Sequence, residues 1–231
     1  MYRFLSAFLF LAIIFSCNPK LSNGLRKNDS KKDVEIITDK GIIIVRLSDS
    51  TPLHRDNFLK LAKQGYYDSI LFHRVIKNFM IQAGDPDSKH AKPGAELGNG
   101  GPTYSIPAEF RASLFHHKGV IAAAREGDDV NPKKASSGSQ FYIVEGKKFT
   151  DAKLDSFEIR YLHGRKISAD QREIYKTIGG TPHLDQNYTV FGEVIKGLNV
   201  VDSISFVRTD TNDRPIKDIR IIKMKLIKRK N

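Results

Sequence analysis

The segment from Phe72 to Pro86 reads Phe-His-Arg-Val-Ile-Lys-Asn-Phe-Met-Ile-Gln-Ala-Gly-Asp-Pro. It contains most of one apolar, β-branched run at residues 70–75 and all of a second run at 80–83. Lys77 and Asn78 lie between the two runs, and a glycine and a proline follow the second. Short β-branched runs bounded by Asn, Gly and Pro are typical of β-strands. The segment therefore predicts two short strands.

The same pattern recurs along most of the chain. Further strand-like runs lie at residues 34–38, 42–47, 119–124, 140–144, 190–194 and 219–227. Many short strands with few helices predict a mainly β fold closed into a barrel. Residues 84–107 contain five glycines and four prolines, which predicts a long ordered loop without regular structure.

Two short helices are expected to cover this sheet. Thr51-Pro52 supplies an N-cap and a first-turn proline, and the apolar stripe that follows ends at Gly65. A second helix is predicted at residues 197–203. Between the first two strands, Asp39-Lys40-Gly41 predicts a hairpin with glycine at the position that needs a positive φ.

Residues 147–180 interrupt the rhythm of short strands. They include the charged, helix-forming run Ser-Ala-Asp-Gln-Arg-Glu-Ile-Tyr-Lys-Thr-Ile, which starts at Ser168. A serine directly before such a run is a favoured N-cap. The segment is interpreted as an insertion that carries at least one helix.

Alternation along two of the predicted strands separates two faces. Side chains of a strand point alternately to opposite sides of the sheet. Met80 and Gln82 therefore share one face of their strand, and Gln140 and Tyr142 share one face of another. The apolar residues between and beside them, such as Ile81 and Ile143, face the other way. One face is expected to line a groove and the other to form the core.

Residues 72–86, together with Ser-Gly-Ser-Gln-Phe-Tyr-Ile-Val at 137–144, strongly resemble the signature blocks of the cyclophilin family of peptidyl-prolyl cis-trans isomerases. Flanking stretches agree in the same order: Asn-Phe-Leu-Lys-Leu at 57–61, Ile-Pro-Ala-Glu-Phe at 106–110, Gly-Val-Ile-Ala-Ala-Ala-Arg at 119–125 and Tyr-Thr-Val-Phe-Gly at 188–192. The resemblance implies a closed, antiparallel, eight-stranded β-barrel capped by two helices within a domain at 33–230. It also implies an isomerase that needs no cofactor or metal.

Physical chemistry indicates what a polar side chain could do in such an enzyme. Rotation about an X-Pro bond passes through a twisted amide and faces a barrier of ~18–20 kcal/mol. A hydrogen-bond donor aimed at the twisted amide lowers that barrier. Arg74 is the predicted donor, because its guanidinium stays charged and offers several N–H groups, and the resemblance implies the same catalytic role. The alternative is a solvated strand arginine paired to Glu109 or Asp85.

The resemblance also implies the remaining site residues. Gln82 resembles the glutamine that binds substrate backbone and orients the arginine. Phe79, Met80, Tyr142 and Leu184 resemble the pocket for the proline ring. Ala124, Arg125 and Gln140 match positions where an extended peptide can form main-chain hydrogen bonds. Arg125 replaces an asparagine and Tyr188 a histidine of eukaryotic relatives.

His183 occupies the position of a tryptophan that contacts cyclosporin in many relatives. We therefore expect substrate binding there, with weak cyclosporin binding and catalysis largely kept. Its six companion histidines show no metal-ligand spacing, so no metal site is predicted. His73 is expected to be a buried or half-buried histidine with a structural hydrogen bond.

Residues 1–16 have the charged start, apolar run and small final residue of an export signal. The single cysteine, Cys17, follows at a position that resembles a bacterial lipobox, which implies cleavage before it and lipidation of its thiol. An ordinary secretory signal with an incidental cysteine is the alternative. Residues 17–32 then form a flexible tether. The expected location is the bacterial cell envelope facing the periplasm, on the outer rather than the inner membrane.

The net charge of +12 is compatible with an anionic membrane or nucleic acid as a partner, or with a basic surface that only keeps the protein soluble. Because the basic residues are scattered, no nucleic-acid partner is expected. A monomer is predicted, because no heptad or apolar stripe demands an oligomer. Two functions remain: an isomerase acting on proline-containing polypeptides during folding outside the cytoplasm, or a proline-peptide-binding chaperone with little catalysis.

Overall fold

The computed structural model describes residues 24–26 and 28–229. The strands are β1 (Lys32–Thr38), β2 (Gly41–Leu47), β3 (Arg74–Ile76), β4 (Met80–Ala83), β5 (Ser105–Ile106), β6 (Val120–Ala123), β7 (Ser136–Ser137), β8 (Phe141–Val144), β9 (Val190–Lys196) and β10 (Ile221–Lys228). The α-helices are α1 (Pro52–Lys63), α2 (Asp151–Arg160), α3 (Ala169–Thr177) and α4 (Leu198–Ser205). The mainly β architecture is confirmed.

Eight strands form one antiparallel sheet in the order β10-β1-β2-β9-β6-β8-β4-β3, and β5 pairs separately with β7. The prediction of a closed barrel is not confirmed. At the two ends of the sheet, β3 and β10 form no ladder with each other. The chain just before β3 meets the start of β10 at a single bridge, between Leu71 and Arg220. The result is a strongly curled sheet.

The hairpin between β1 and β2 is confirmed, with Thr38 opposite Gly41 and Gly41 at φ +135°. Helix α1 begins at Pro52 as predicted, but its expected N-cap is wrong. Thr51 makes no side-chain cap hydrogen bond, and the carboxylate of Glu109 instead accepts from the main-chain N–H groups of Leu53 (3.2 Å) and His54 (3.0 Å). A distant carboxylate at the helix N-terminus satisfies the same orphan donors.

The two sheet faces carry two separate apolar clusters, as the alternation predicts. Ile81, Phe141 and Ile143 belong to the main core, where Phe58 of α1 and Ile204 of α4 also pack. Met80 and Tyr142 point to the opposite face and join a smaller cluster. The second cluster forms the floor of the site described below.

The insertion between β8 and β9 contains two helices. The hydroxyl of Ser168 caps α3 by accepting from the N–H of Gln171, as predicted, and Thr150 caps α2 by accepting from the N–H of Lys153. The segment has its own apolar cluster, which includes Leu154 of α2 and Tyr175 of α3. The insertion is therefore a packed unit rather than a loose loop.

The export signal at 1–16, Cys17 and half of the expected tether at 17–32 lie outside the described residues. In the described part of that stretch, Leu25 and Asp29 are buried. Asp29 accepts from the ammonium groups of Lys63 (2.6 Å) and Lys32 (2.9 Å), so this part packs on the domain. Within residues 24–26 and 28–229, the structure contains no helix with the length and apolar character needed to cross a bilayer.

Candidate active site

A row of directly opposed residues crosses four strands of the sheet. Arg74 of β3 lies opposite Gln82 of β4, Gln82 opposite Tyr142 of β8, and Tyr142 opposite Ala122 of β6. Opposed residues of antiparallel strands project from the same face. The strand register therefore places the predicted arginine, glutamine and tyrosine side by side above the second apolar cluster.

These side chains surround a pocket of about 160 Å³. Its lining comprises Arg74, Phe79, Met80, Gln82, Ala124, Arg125, Tyr142, Leu184 and Tyr188. The structure thus brings together nine of the eleven residues predicted for the site, the exceptions being Gln140 and His183. We refer to this space as the pocket.

Arg74 lies at the open edge of the pocket. Its guanidinium Nε is 3.5 Å from a carboxylate oxygen of Asp213, and the two side chains are 43% and 42% exposed. The alternative pairing with Glu109 or Asp85 is wrong, because Glu109 caps α1 and Asp85 caps the 3-10 helix Pro86–His90. The sequence gives no signal for Asp213, which comes from the loop before β10.

The side chain of Gln82 is held by Gln140 and not in a position bonded to Arg74, the arginine that it was expected to orient. Its amide nitrogen donates to the side-chain oxygen of Gln140 (3.1 Å), whose own nitrogen donates to the carbonyls of Gly98 (2.7 Å) and Gly100 (2.9 Å). No hydrogen bond joins Gln82 to Arg74 in the described part of the chain. Gln140 therefore ties the long loop at 84–107 to the pocket, and lines a cleft of about 670 Å³ that continues past Gln82 along this loop.

Tyr142 forms the floor of the pocket and is held by a buried polar network. Its hydroxyl lies 3.0 Å from Nε2 of His116, and Nδ1 of His116 lies 2.9 Å from Asp185. The hydroxyl of Tyr175, in α3, donates to the other oxygen of Asp185 (2.7 Å). Burial raises the pKa of the Tyr142 hydroxyl well above its usual value, so the phenol stays neutral. The network connects the pocket floor to the insertion.

Arg125 also lines the pocket and is held by contacts with neighbouring residues. Its side chain is 4% exposed; the guanidinium lies 4.4 Å from the centre of the Tyr188 ring, and Nε donates to the carbonyl of Asn187 (2.8 Å). The main-chain N–H of Ala124 donates to the main-chain carbonyl of Gln140 (3.0 Å). Within the described residues, the main-chain N–H and C=O of Arg125 make no hydrogen bond.

A tight turn sets the position of Phe79. Ile76 and Met80 are opposed, and Asn78 between them adopts φ +61°, a conformation that asparagine tolerates better than most residues. The Phe79 ring stacks on His183, with centroids 5.6 Å apart. His183 thus contacts the pocket through Phe79. Burial is the main reason that the pKa of His183 is lowered to about 4, and His116 and Lys147 contribute less.

His73 is buried, as predicted, but the expected structural hydrogen bond is wrong. Neither ring nitrogen has a hydrogen-bond partner within residues 24–26 and 28–229. Burial lowers the pKa of His73 to about 4, so the ring stays neutral at pH 7 although Asp85 partly opposes the shift. His73 precedes Arg74 and therefore points to the other face of the sheet.

Comparison with known proteins identifies the family. Residues 33–226 match the family model described as cyclophilin type peptidyl-prolyl cis-trans isomerase/CLD. The chain belongs to the cyclophilin family. By family it is a peptidyl-prolyl cis-trans isomerase. The pocket residues come from the same sequence motifs that resemble the cyclophilin signature.

Relatives and solved structures agree with this cyclophilin assignment. A Staphylococcus haemolyticus protein named for peptidyl-prolyl cis-trans isomerase activity is 34% identical over 204 residues, covering 88% of this chain and 94% of its own length. A Streptococcus pyogenes protein named as a bifunctional phosphatase and peptidyl-prolyl cis-trans isomerase is 36% identical. The match covers 84% of this chain but only 38% of that longer protein.

Among crystal structures, a cyclophilin-type isomerase from Cryptosporidium parvum superposes with a TM-score of 0.60 and 26% identity, covering 84% of this chain and 96% of its own. A second structure of that protein, determined in the presence of the dipeptide Ala-Pro, gives a TM-score of 0.60 at 25% identity. It covers 86% of this chain and 99% of its own. The curled eight-stranded sheet described above is thus a cyclophilin fold.

Proposed function

We propose that this cyclophilin catalyses rotation of X-Pro bonds in exported polypeptides and thereby assists their folding. The observation that carries the proposal is the placement of Arg74 beside a pocket lined by Phe79, Met80 and Leu184. The apolar side chains of a pocket of this size suit a proline ring, and a cation at its edge suits a twisted amide. The dipeptide Ala-Pro used with the Cryptosporidium protein supports a proline-containing ligand.

In the proposed mechanism, Arg74 binds the twisted amide more strongly than either planar isomer. Twisting leaves a lone pair on the proline nitrogen, and a guanidinium N–H donates to it or to the carbonyl oxygen. The ion pair with Asp213 is long and exposed on both sides, and such pairs contribute little free energy. Arg74 is therefore free to turn from Asp213 toward the substrate.

The substrate backbone is proposed to run along Ala124 and Arg125. The unpaired main-chain N–H and C=O of Arg125 offer one donor and one acceptor to an extended peptide. Gln82 is already held by Gln140 through its amide nitrogen, which directs its side-chain oxygen toward other donors. We assign that oxygen to an N–H of the substrate.

We further propose that the protein is a monomer anchored to the periplasmic side of the bacterial outer membrane through a lipid on Cys17. The sequence of residues 1–17 supports this proposal. Replacing Cys17 with alanine is expected to move the protein from the membrane fraction to the soluble fraction and to abolish labelling by an alkyne fatty acid. Labelling of the Cys17→Ala protein at the wild-type level would overturn the anchor.

The proposed isomerase is tested with a proline-limited peptide assay at low temperature, where the uncatalysed step takes minutes. Wild type is compared with Arg74→Ala and with Arg208→Ala, since Arg208 is exposed and its side chain has no polar partner in the described part of the chain. We expect a loss of at least tenfold for Arg74→Ala, about 1.4 kcal/mol, and none for Arg208→Ala. Tight peptide binding without acceleration by wild type would instead support a proline-binding chaperone.

A further inference from the structure

A group of four aromatic rings extends from the pocket onto the insertion. Phe79 lines the pocket and stacks on His183, with centroids 5.6 Å apart and an interplanar angle of 25°. Phe157 and Tyr161 reach the same imidazole from α2 and its C-cap, each with a centroid separation of 5.8 Å. Tyr161 is 47% exposed. The rings therefore form a continuous aromatic surface from the pocket to solvent.

The insertion holds this surface firmly. Phe157 and Tyr161 are four residues apart, which places them on one helix face, and their rings form an edge contact at 5.2 Å. Phe157 also packs on Phe149, at 5.3 Å, and the next residue, Leu162, is buried. An exposed aromatic ring on a rigid base loses little conformational entropy when it binds a partner.

The chemistry of the surface suits an aromatic or apolar side chain. With its pKa lowered to about 4, His183 is neutral at pH 7 and acts as an aromatic ring. Stacking and edge contacts with a further aromatic or apolar side chain are then favourable. Because the surface continues from the pocket through His183, a peptide with its proline in the pocket can place a neighbouring side chain on it.

We infer that Tyr161 and His183 form a subsite for an apolar or aromatic side chain that flanks the substrate proline. This subsite deepens the proposed function and rests on it. Through Tyr161, the insertion would help to determine which peptides bind, because it extends the binding surface beyond the sheet.

The test uses the purified protein with a peptide series that carries one proline. In each peptide a single phenylalanine replaces alanine at one position, from two before the proline to three after it, and kcat/KM is compared with that of the all-alanine peptide. For wild type we expect a preference for phenylalanine of roughly tenfold at one position. Tyr161→Ala should abolish that preference, while Tyr161→Phe should retain it.

Ile159→Ala is the matched control, because Ile159 lies in α2, close in sequence to Tyr161, and is 74% exposed. It should keep the full preference. Equal kcat/KM values for all peptides, or a preference that survives in Tyr161→Ala, would overturn the subsite while leaving the isomerase intact. A wild type that accelerates no peptide would overturn the proposed function and the subsite together.

Discussion

The hydroxyl of Tyr142 and Nε2 of His116 lie 3.0 Å apart, and their rings are nearly parallel, with centroids separated by 6.1 Å. Both side chains are buried. A buried tyrosine hydroxyl needs a hydrogen-bond partner, which His116 provides. The other ring nitrogen of His116 contacts Asp185, and Asp185 also accepts from the hydroxyl of Tyr175. The floor of the pocket is therefore held in place by residues of the segment leading into β6 and of the insertion.

This network predicts strong coupling between Tyr142 and His116. Tyr142→Phe leaves Nε2 of His116 unpaired, at a cost of about 1–3 kcal/mol in unfolding free energy. His116→Phe should lower the unfolding free energy by more, because it removes a hydrogen-bond partner from both Tyr142 and Asp185. The double variant should lose less than the sum of the two single losses. Urea unfolding measures all three variants, and strictly additive losses would show that the network is not coupled.

Arg125 is expected to act on substrate affinity through Tyr188. A lysine cannot reproduce the flat contact with the Tyr188 ring together with the hydrogen bonds to Asn187 and Glu126. Arg125→Lys should therefore raise the KM for proline peptides by roughly threefold to tenfold, with a smaller change in kcat. Lys133→Arg, an exposed exchange in the neighbouring loop, should change neither constant. An unchanged KM in Arg125→Lys would refute this role.

Asp29 anchors the segment before β1. Burial alone would raise the pKa of Asp29, but hydrogen bonds from the N–H of Arg26 and from Lys63 and Lys32 outweigh it and leave the pKa far below its usual value. Asp29→Asn should therefore destabilise the protein by about 2 kcal/mol at pH 7. Because the folded pKa is lowered, this difference should shrink as the pH falls below about 4.

Urea unfolding at pH 7 and at a pH below about 4 measures the effect of Asp29→Asn, and Asp49→Asn is the control. Asp49 also forms a short ion pair, with Arg55 at 2.6 Å, but its side chain is 71% exposed. Exposed pairs contribute about 0–1 kcal/mol, so Asp49→Asn should be nearly neutral at both pH values. Equal losses for the two variants would argue against a special role of the buried carboxylate.

His73 is expected to weaken the fold in mild acid. Its folded pKa is about 4, below the unfolded value of about 6.5. Between these values the unfolded chain binds the additional proton, so stability falls as the pH is lowered. His73→Phe should remove up to about 2 kcal/mol of the loss seen between about pH 7.5 and pH 5. The exposed His90, changed in the same way, serves as the control, and an unchanged pH profile in His73→Phe would contradict the prediction.

The sequence predicts the strands and the two faces because period-two alternation is local information. Met80, Gln82 and Tyr142 could be placed on the pocket side from their neighbours alone. The Ser168 cap follows from the sequence in the same way, since a serine before a charged helix acts on residues within one turn.

What the sequence could not predict are partners brought together from far along the chain. Asp213 faces Arg74, Glu109 caps α1 in place of Thr51, and His116 meets Tyr142. A buried tyrosine signals that its hydroxyl has some partner, but seven histidines and many carboxylates satisfy that requirement equally well. Closure of the sheet into a barrel is another such case, because it depends on pairing between β3 and β10, which lie far apart in the chain.

The most direct test of the account measures exchange between cis and trans isomers of a proline peptide by NMR, with affinity determined in the same titration. Wild type should exchange the bound peptide far faster than free solution does, and Arg74→Ala should reduce the exchange rate by a larger factor than it reduces affinity. An exchange rate that Arg74→Ala leaves unchanged, or that wild type does not raise, would contradict catalysis by Arg74.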